Sequence, residues 1–501
     1  MYDCDVIVIG SGIGGLTAAA LLSRYGKRVI VCESHTIAGG AAHSFSRRGF
    51  IFDSGASFYS GLIDPRSRNP LRQVLEVLGE VLPAVSYNPM GHYHFPEVSF
   101  PVYTQQQRYL EAVSQITPTG AKELERFFQR LLPLYEALQG IPTLALRADW
   151  QIIPVLLKSY LPSLVKMLPH LGTIQASVGQ VMDWEVQDEW VRRLIDLECF
   201  LLSGLKAHGT IAPEVAFMFG ERSLMGVEYP IGGSGAIVDA LVRGLQRWGG
   251  KLKLSSHVDQ ILLESGKVAG VKLRQGEILK APIVISNATI WDTYNNLLRT
   301  EDLPKSYQEV TTPAVDSFMH LHLGIKAEGL EHITGHHVVV HDTNRDITEP
   351  GNTCMISIPS VWDSSLAPPG HHVVHAYTLE PYSNWQRDEG YQKKKQERSQ
   401  SLYHALERII PDIRQRVVLE LIGTPLTHAY YLRRYQGTYG PAIAAGKGMF
   451  PSTHTSISGL YRVGDSTMPG IGVPAVAASG ILCANTLVKP QQTAQLLIGT
   501  T

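Results

Sequence analysis

Residues 1–34 read "MYDCDVIVIGSGIGGLTAAALLSRYGKRVIVCES". Asp5 to Ile9 form an apolar, β-branched run that predicts a buried strand. A glycine turn follows, Gly10–Ser11–Gly12–Ile13–Gly14–Gly15, and then an Ala/Leu-rich segment with helical character. Arg28 to Cys32 predict a second strand, which ends at Glu33 and Ser34. A G-x-G-x-x-G pattern alone is weak, but strand before, helix after and an acid closing the second strand make it specific. Gly10 allows the sharp turn, Gly12 lets backbone approach a pyrophosphate, and Gly15 lets the helix pack close to the strand. The helix N-terminus offers free N–H groups and a partial positive charge. Glu33 is placed to accept hydrogen bonds from ribose hydroxyls, and its charge repels a 2′-phosphate. Taken alone, the turn fits FAD and NAD equally.

The chain has 501 residues, with 44 Lys+Arg against 45 Asp+Glu. That length supports two or more domains, and a net charge near zero argues against a nucleic-acid partner. The five cysteines, Cys4, Cys32, Cys199, Cys354 and Cys483, show no C-x-x-C spacing. This fits a reducing compartment, without a disulfide framework or a zinc site. The first strand starts almost at Met1, so no signal peptide is expected, and no uninterrupted apolar run is long enough to span a bilayer. Together these features predict a cytoplasmic protein.

One stretch comes near, "IIPVLLKSYLPSLVKMLPHL", Ile152 to Leu171, broken by Pro154, Pro162 and Pro169 and carrying Lys158 and Lys166. Its leucines recur at helical spacing. Such a basic amphipathic segment either lies on a membrane surface or packs as a helix pair on the protein's own core.

Dinucleotide-type elements recur in three separated pieces. The expected architecture is α/β: a discontinuous Rossmann-like domain (1–85, 228–300 and 422–501) into which a mixed-sheet and helical domain (86–227 and 301–421) is inserted. Residues 87–103 read as a hairpin, 251–288 as a meander feeding a strand, 119–199 as Pro-broken helices, and 387–410 as a charged helix.

Two further motifs narrow the cofactor. Gly39, Gly40 and Ala41 in "IAGGAAHSF" follow Glu33 closely and give a second backbone loop access to the cofactor. Gly464–Asp465 stands at the tip of a late strand, where the aspartate is suited to ribityl hydroxyls. The helix that follows, beginning at Gly472 and Val473, aims its positive end where a reduced flavin carries negative charge. The three motifs together favour FAD over NAD.

Several blocks carry a resemblance: "RRLIDLECF" (192–200), "VEYPIGGSGAIVDALVRGL" (227–245), "VISNATIWDTYNNLL" (284–298), "WDSSLAPPGHHVVHAYT" (362–378), "GTPLTHAYYLRRYQGTYGP" (423–441) and "LYRVGDSTMPGIGVPAVAASG" (460–480). With these blocks the chain resembles the carotenoid (prolycopene) isomerases, a branch of the bacterial-type phytoene desaturases among the FAD-dependent amine-oxidase-like proteins. Ala38 stands where that family usually has proline, and 58–75 match it only loosely. The resemblance implies FAD on Gly10, Gly12, Gly15, Glu33, Gly39, Gly40, Gly464 and Asp465, with the Val258 backbone pairing the adenine. It also implies reduced flavin, a carotene substrate and no net redox change.

A carotene has no polar handle, so an apolar tunnel is expected, and a substrate dissolved in membranes favours the surface-lying reading of Ile152 to Leu171. Rotation about a conjugated C=C requires a transiently lowered bond order, from reduced flavin or from a protonating acid. Asp196 and Glu198, acids within an apolar helix, are the candidate catalytic residues; the alternative is a surface ion pair with Arg192 or Arg193. Alternating histidines (His92/His94, His320/His322, His336/His337/His341, His371/His372/His375) raise a non-haem iron oxygenase, but no blade repeat is present and the glycine motifs stay unexplained on that reading, so no metal is expected. A carotenoid desaturase or saturase with net redox chemistry, and a flavin-bound carotenoid carrier without turnover, are the other two functional readings.

Overall fold

The computed structural model describes residues 2–55, 57–299, 301, 303 and 311–498. Met1, Ala56 and the ends of the 228–300, 301–421 and 422–501 segments lie partly outside them. Strand β1 (Val6–Ile9) leads through the glycine turn into helix α1 (Ile13–Arg24) and on to β2 (Val29–Cys32). The second strand begins one residue later than predicted, where the Arg28 N–H donates to the Asp5 carboxylate at 2.8 Å instead of to a strand carbonyl.

A five-stranded sheet carries β1 at its centre. Its order is Lys251–Lys253, β2, β1, Ile283–Ser286, Leu460–Arg462, and every pairing is parallel. Val6 lies opposite both Val29 and Ile283. The side chains of β1 alternate between two cores. Val6 and Val8 face α1 and the Ser234–Arg247 and Val473–Thr486 helices, while Ile7 and Ile9 face the meander Val258–Glu264, Lys267–Leu273, Ile278–Lys280. Both faces are covered, which is why the strand is apolar at every position instead of alternating. The chain reverses direction of build at β1, so the carboxyl ends of four strands lead into Gly10, Glu33, Asn287 and Val463 at one edge. That is the position at which open parallel sheets hold ligands.

A seven-stranded sheet runs in the order Val417–Gly423, Ser317–Lys326, His371–Glu380, Thr353–Ser357, His336–Val340, Gly91–His94, Ser99–Val102. The predicted hairpin forms its last two strands, the first of which pairs in parallel with His336–Val340. Helices between Gln106 and Met225 pack on one face of this sheet around Phe127, Phe128, Leu194 and Val338. The charged helix covers Tyr391–Glu407, shorter at both ends than its pattern. A short sheet of Tyr59–Ser60, Val227–Pro230 and Ala84–Tyr87 stands between the two larger ones. Buried Asp53 braces this junction, accepting from Tyr229 Oη at 2.7 Å, Ser234 N at 2.8 Å and Ser44 Oγ at 2.7 Å. Among the described residues no single helix is long and apolar enough to cross a membrane; one helix pair, Ile152–Ser159 with Leu161–Gln175, is bent by 93°.

The tightest helix contact in the dinucleotide-type core is between α1 and Val473–Thr486. A Cβ on Gly480 would stand 2.6 Å from the Gly14 carbonyl oxygen and 2.7 Å from Thr17 Cβ, so only glycine fits there. Gly480→Ala is expected to lower unfolding free energy by about 1–3 kcal/mol, since backbone on one side cannot yield. A lowered thermal midpoint at unchanged secondary-structure content checks this.

Candidate functional site

A cavity of about 1260 Å³ opens at the shared edge of the parallel sheet and continues into the helical layer. Its first part is lined by Gly10, Gly12, Ile13, Gly14, Glu33, Ser34, Gly39, Gly40, Ala41, Val258, Gly464, Asp465, Gly472 and Val473. Gly15 is not in this wall. Its missing side chain serves packing instead, since a Cβ there would meet the Gly10 carbonyl oxygen at 2.4 Å.

The geometry of this part suits a large anionic dinucleotide. Helix α1 starts at Gly12 and the Val473–Thr486 helix at Gly472, and neither start is capped by a side chain. Both helices therefore direct free N–H groups and the positive ends of their dipoles at the cavity. The Gly39–Ala42 loop lies against the glycine turn, with the Gly39 N–H donating to Ser11 O at 3.1 Å. A Cβ on Gly40 would come within 3.2 Å of Gly12 Cα. The Glu33 carboxylate is buried and accepts from Ser11 N (2.8 Å), Ser11 Oγ (2.6 Å) and His35 N (2.7 Å), which ties the end of β2 to the glycine turn. Asp465 pairs with Arg434, and both line the cavity. Burial pushes the Asp465 carboxyl up, and Arg434 opposes that shift.

Two residues here escape the motif reading. Asn287 follows the Ile283–Ser286 strand, and its amide stands 2.6 Å from where a Gly12 Cβ would be and 3.0 Å from one on Gly14. Arg434 reaches Asp465 from a segment 31 residues earlier. Both lie in blocks that carry the family resemblance, 284–298 and 423–441, but neither belongs to a glycine motif. Within the residues themselves, the signal was an Asn directly after an apolar strand.

Beyond the glycine-lined part the wall is mainly apolar, with Phe58, Met90, Phe200, Phe217, Met218, Phe318 and Met355. The bent pair borders this part. Leu156, Leu164 and Met167 face the cavity. Ile153, Leu157, Leu161, Val165 and Leu168, along the same stretch, are 50–59 % exposed. No residue of the Ile152–Ser159 and Leu161–Met167 helices is buried. The stretch therefore turns one half-buried face to the cavity and to the Pro118–Leu138 helix, and the other face outward.

The two candidate acids part company. Glu198 lines the cavity, but its carboxylate is held by Arg222 Nη1 at 3.0 and 3.2 Å and by Tyr109 Oη at 3.1 Å. Both members of the ion pair are buried. Asp196 points away, accepts the Ala207 N–H at 2.9 Å and does not line the cavity; burial raises its carboxyl. The surface pairing with Arg192 or Arg193 is absent as well, since these bind Asp183 at 2.6 Å and Glu97 at 3.8 Å. Successive helical positions face different neighbours, and 196 and 198 are about 200° apart around the axis.

The alternating histidines form a stack. His320, His322 and His375 bring one ring nitrogen each within 4.8 Å of the others. His322 and His375 lie 4.3 Å apart with planes at 5°, His320 and His428 4.1 Å apart at 14°, and His320 Nδ1 is 2.8 Å from His375 Nε2. Burial pushes all four well below the usual imidazole range, so the stack is neutral.

Residues 13–488 match the family described as flavin containing amine oxidoreductase. The chain is 36 % identical to prolycopene isomerase 2, chloroplastic, of an Oncidium hybrid cultivar, over 96 % of this chain and 83 % of that protein. It is 34 % identical to the chloroplastic prolycopene isomerase of Daucus carota, over 96 % and 80 %. The fold is similar to that of an oxidoreductase from Methanosarcina mazei, with a TM-score of 0.62 and 23 % identity, covering 95 % of this chain and 99 % of that one.

The buried ion pair gives a direct test of what Glu198 does. Arg222→Met leaves the carboxylate uncompensated and is expected to destabilise by about 3–5 kcal/mol, whereas Glu198→Met/Arg222→Met together recover most of that loss. Denaturant midpoints of the two variants decide it.

Proposed function

Because the chain belongs to the flavin-containing amine oxidoreductase family, and within it to the group of the prolycopene isomerases, we propose that it isomerises a poly-cis carotene of the prolycopene type to the all-trans form, with FAD bound in its reduced state and no net redox change. The observation that carries this reading is the continuity of one cavity from two uncapped helix ends into a chamber walled by Phe, Met and Leu side chains.

In this reading Gly10, Gly12, Ile13 and Gly14 take the pyrophosphate. Glu33 and Ser34 take the adenosine ribose, and the Val258 backbone takes the adenine. Gly39, Gly40 and Ala41 close over the cofactor. Gly464 and Asp465 take the ribityl chain, and Gly472 and Val473 stand at the ring. The segments 1–85, 228–300 and 422–501 form the FAD-binding domain, and 86–227 with 301–421 the substrate domain. Residues present fit the group: Gly10, Gly12 and Gly14 bring backbone without side chains to the cavity wall, and neither helix start at Gly12 or Gly472 has a side-chain cap. The reduced flavin supplies electron density toward the conjugated chain. The protein's own walls do the rest. They bind the polyene by removing apolar surface from water, at roughly 25 cal/mol per Å², and keep water from the loosened double bond.

The carotene reaches the chamber from a bilayer. Outward-facing Ile153, Leu157, Leu161, Val165 and Leu168 lie in the acyl boundary, and Lys158 and Lys166 meet the headgroups, while Leu156, Leu164 and Met167 on the inner side form the passage. The protein is then peripherally membrane-associated; among the described residues no single helix is long and apolar enough to cross.

The test is incubation of purified protein with tetra-cis-lycopene, FAD, a reductant and liposomes, followed by chromatography and mass spectrometry. An all-trans product of unchanged mass is expected. A product lighter or heavier by two hydrogens replaces this reading with a desaturase or saturase, and retained flavin with an unaltered polyene replaces it with a carrier. Separately, Lys158→Gln/Lys166→Gln is expected to weaken binding to anionic vesicles by about 2 kcal/mol, roughly thirtyfold, in a sedimentation assay.

A further inference from the structure

Six acids line the cavity, and five have partners. Glu33 is held by Ser11, Glu198 by Arg222, Asp465 by Arg434, Asp259 by Arg274 at 3.0 Å, and Asp292 by the Tyr435 N–H at 2.8 Å. Glu214 is the exception: among the described residues it makes no hydrogen bond and no ion pair. It stands in the first turn of the Ala212–Met225 helix. Pro213, Phe217, Met218 and Arg222 of the same helix also line the cavity. Phe217 and Met218 lie three and four residues on, and so share its face of the helix. Arg222 lies about two turns, or 12 Å, further along and is already neutralised by Glu198. Nearby buried Glu221 shows the alternative arrangement, with its oxygens taken up by Ser67 Oγ at 2.6 Å and Tyr135 Oη at 2.8 Å.

An ionised carboxylate without partners in an apolar wall is costly, and the neutral acid is the form that such a wall accepts. Burial pushes Glu214 up to about 7. A carboxylic acid kept protonated near neutral pH in a substrate chamber has the makings of a proton donor.

We infer that Glu214 is a catalytic acid of this site, which protonates a carbon of the bound polyene and recovers the proton after the bond has turned. The inference rests on the isomerase reading above. In the forward step the O–H bond of Glu214 breaks, and a π pair forms the new C–H bond. The neighbouring carbon is left cationic, its charge delocalised along the conjugated chain. The former double bond is then single and rotates. The Glu214 carboxylate removes the proton, the electron pair returns to the π bond, and no atom or electron is gained or lost overall.

The test is turnover of poly-cis-lycopene by flavin-loaded Glu214→Gln and Glu214→Asp proteins. Glu214→Gln keeps shape and removes the acid, so it is expected to lose about a hundredfold or more in kcat, with flavin absorbance and carotene binding unchanged. Glu214→Asp, which retains an acid one methylene shorter, is expected to keep part of the rate, and wild-type turnover should slow in D2O. Wild-type kcat in Glu214→Gln overturns the acid role and leaves the isomerase reading standing. Loss of kcat together with loss of flavin or carotene binding also overturns it, in favour of a packing role. No conversion by the wild-type protein overturns both.

Discussion

Everything at the site depends on β1 having a parallel partner on each side. Val6 to Ile9 pair in register with Val29 to Cys32 and with Ile283 to Ser286, so three strands from distant parts of the chain finish at the same level. Had either pairing slipped by one residue, Ile7 and Ile9 would face the helices and Val6 and Val8 the meander, and the glycine turn would lose its position against Asn287. The absence of side chains at Gly12 and Gly14 has meaning only because Asn287 and Gly464 stand within about a van der Waals contact of them.

From that edge the cavity changes character along its length. At the sheet it is lined by backbone, with uncapped helix ends and two acids held in fixed orientations by Ser11 and Arg434. Further in, polar groups are either cancelled against one another, as in Glu198 with Arg222, or neutral, as in the histidine stack. Such cancellation lowers the charge that the chamber presents to an apolar guest. The buried pair earns little stability by being there, since desolvation offsets most of the attraction. It lets Tyr109, Met90 and the two helices meet without an orphaned charge.

The elements carried by local periodicity were legible in advance. The glycine turn between two apolar runs, the hairpin over Gly91–Val102 and the meander over Val258–Lys280 follow from spacing within one short window each. Pairings between windows were not. Asn287 against Gly12, Arg434 against Asp465 and Arg222 against Glu198 join residues that no spacing rule connects, and Asp196 seemed equivalent to Glu198 because a helix's neighbours cannot be read from the helix itself. Glu214 carried no signal at all: an acid after Ile-Ala-Pro reads as an ordinary first-turn residue, and only the wall around it makes it unusual. The histidine pairs did fall on strands, as alternation implies, but ring orientation is a property of the packed sheet.

The Val473–Thr486 helix lies against α1 through Gly480, and Leu460–Arg462 closes one edge of the sheet that β1 opens. Elements far apart in the sequence thus complete one another. Until the later ones arrive, the βαβ unit exposes the β1 edge that Ile283–Ser286 covers and the α1 face that Val473–Thr486 covers. Contacts of such sequence separation form slowly, and they expose the nascent chain to mispairing for the duration of its translation. A ligand bridging both ends would act as a late clamp, adding its binding free energy to a closure that the chain must first reach unaided.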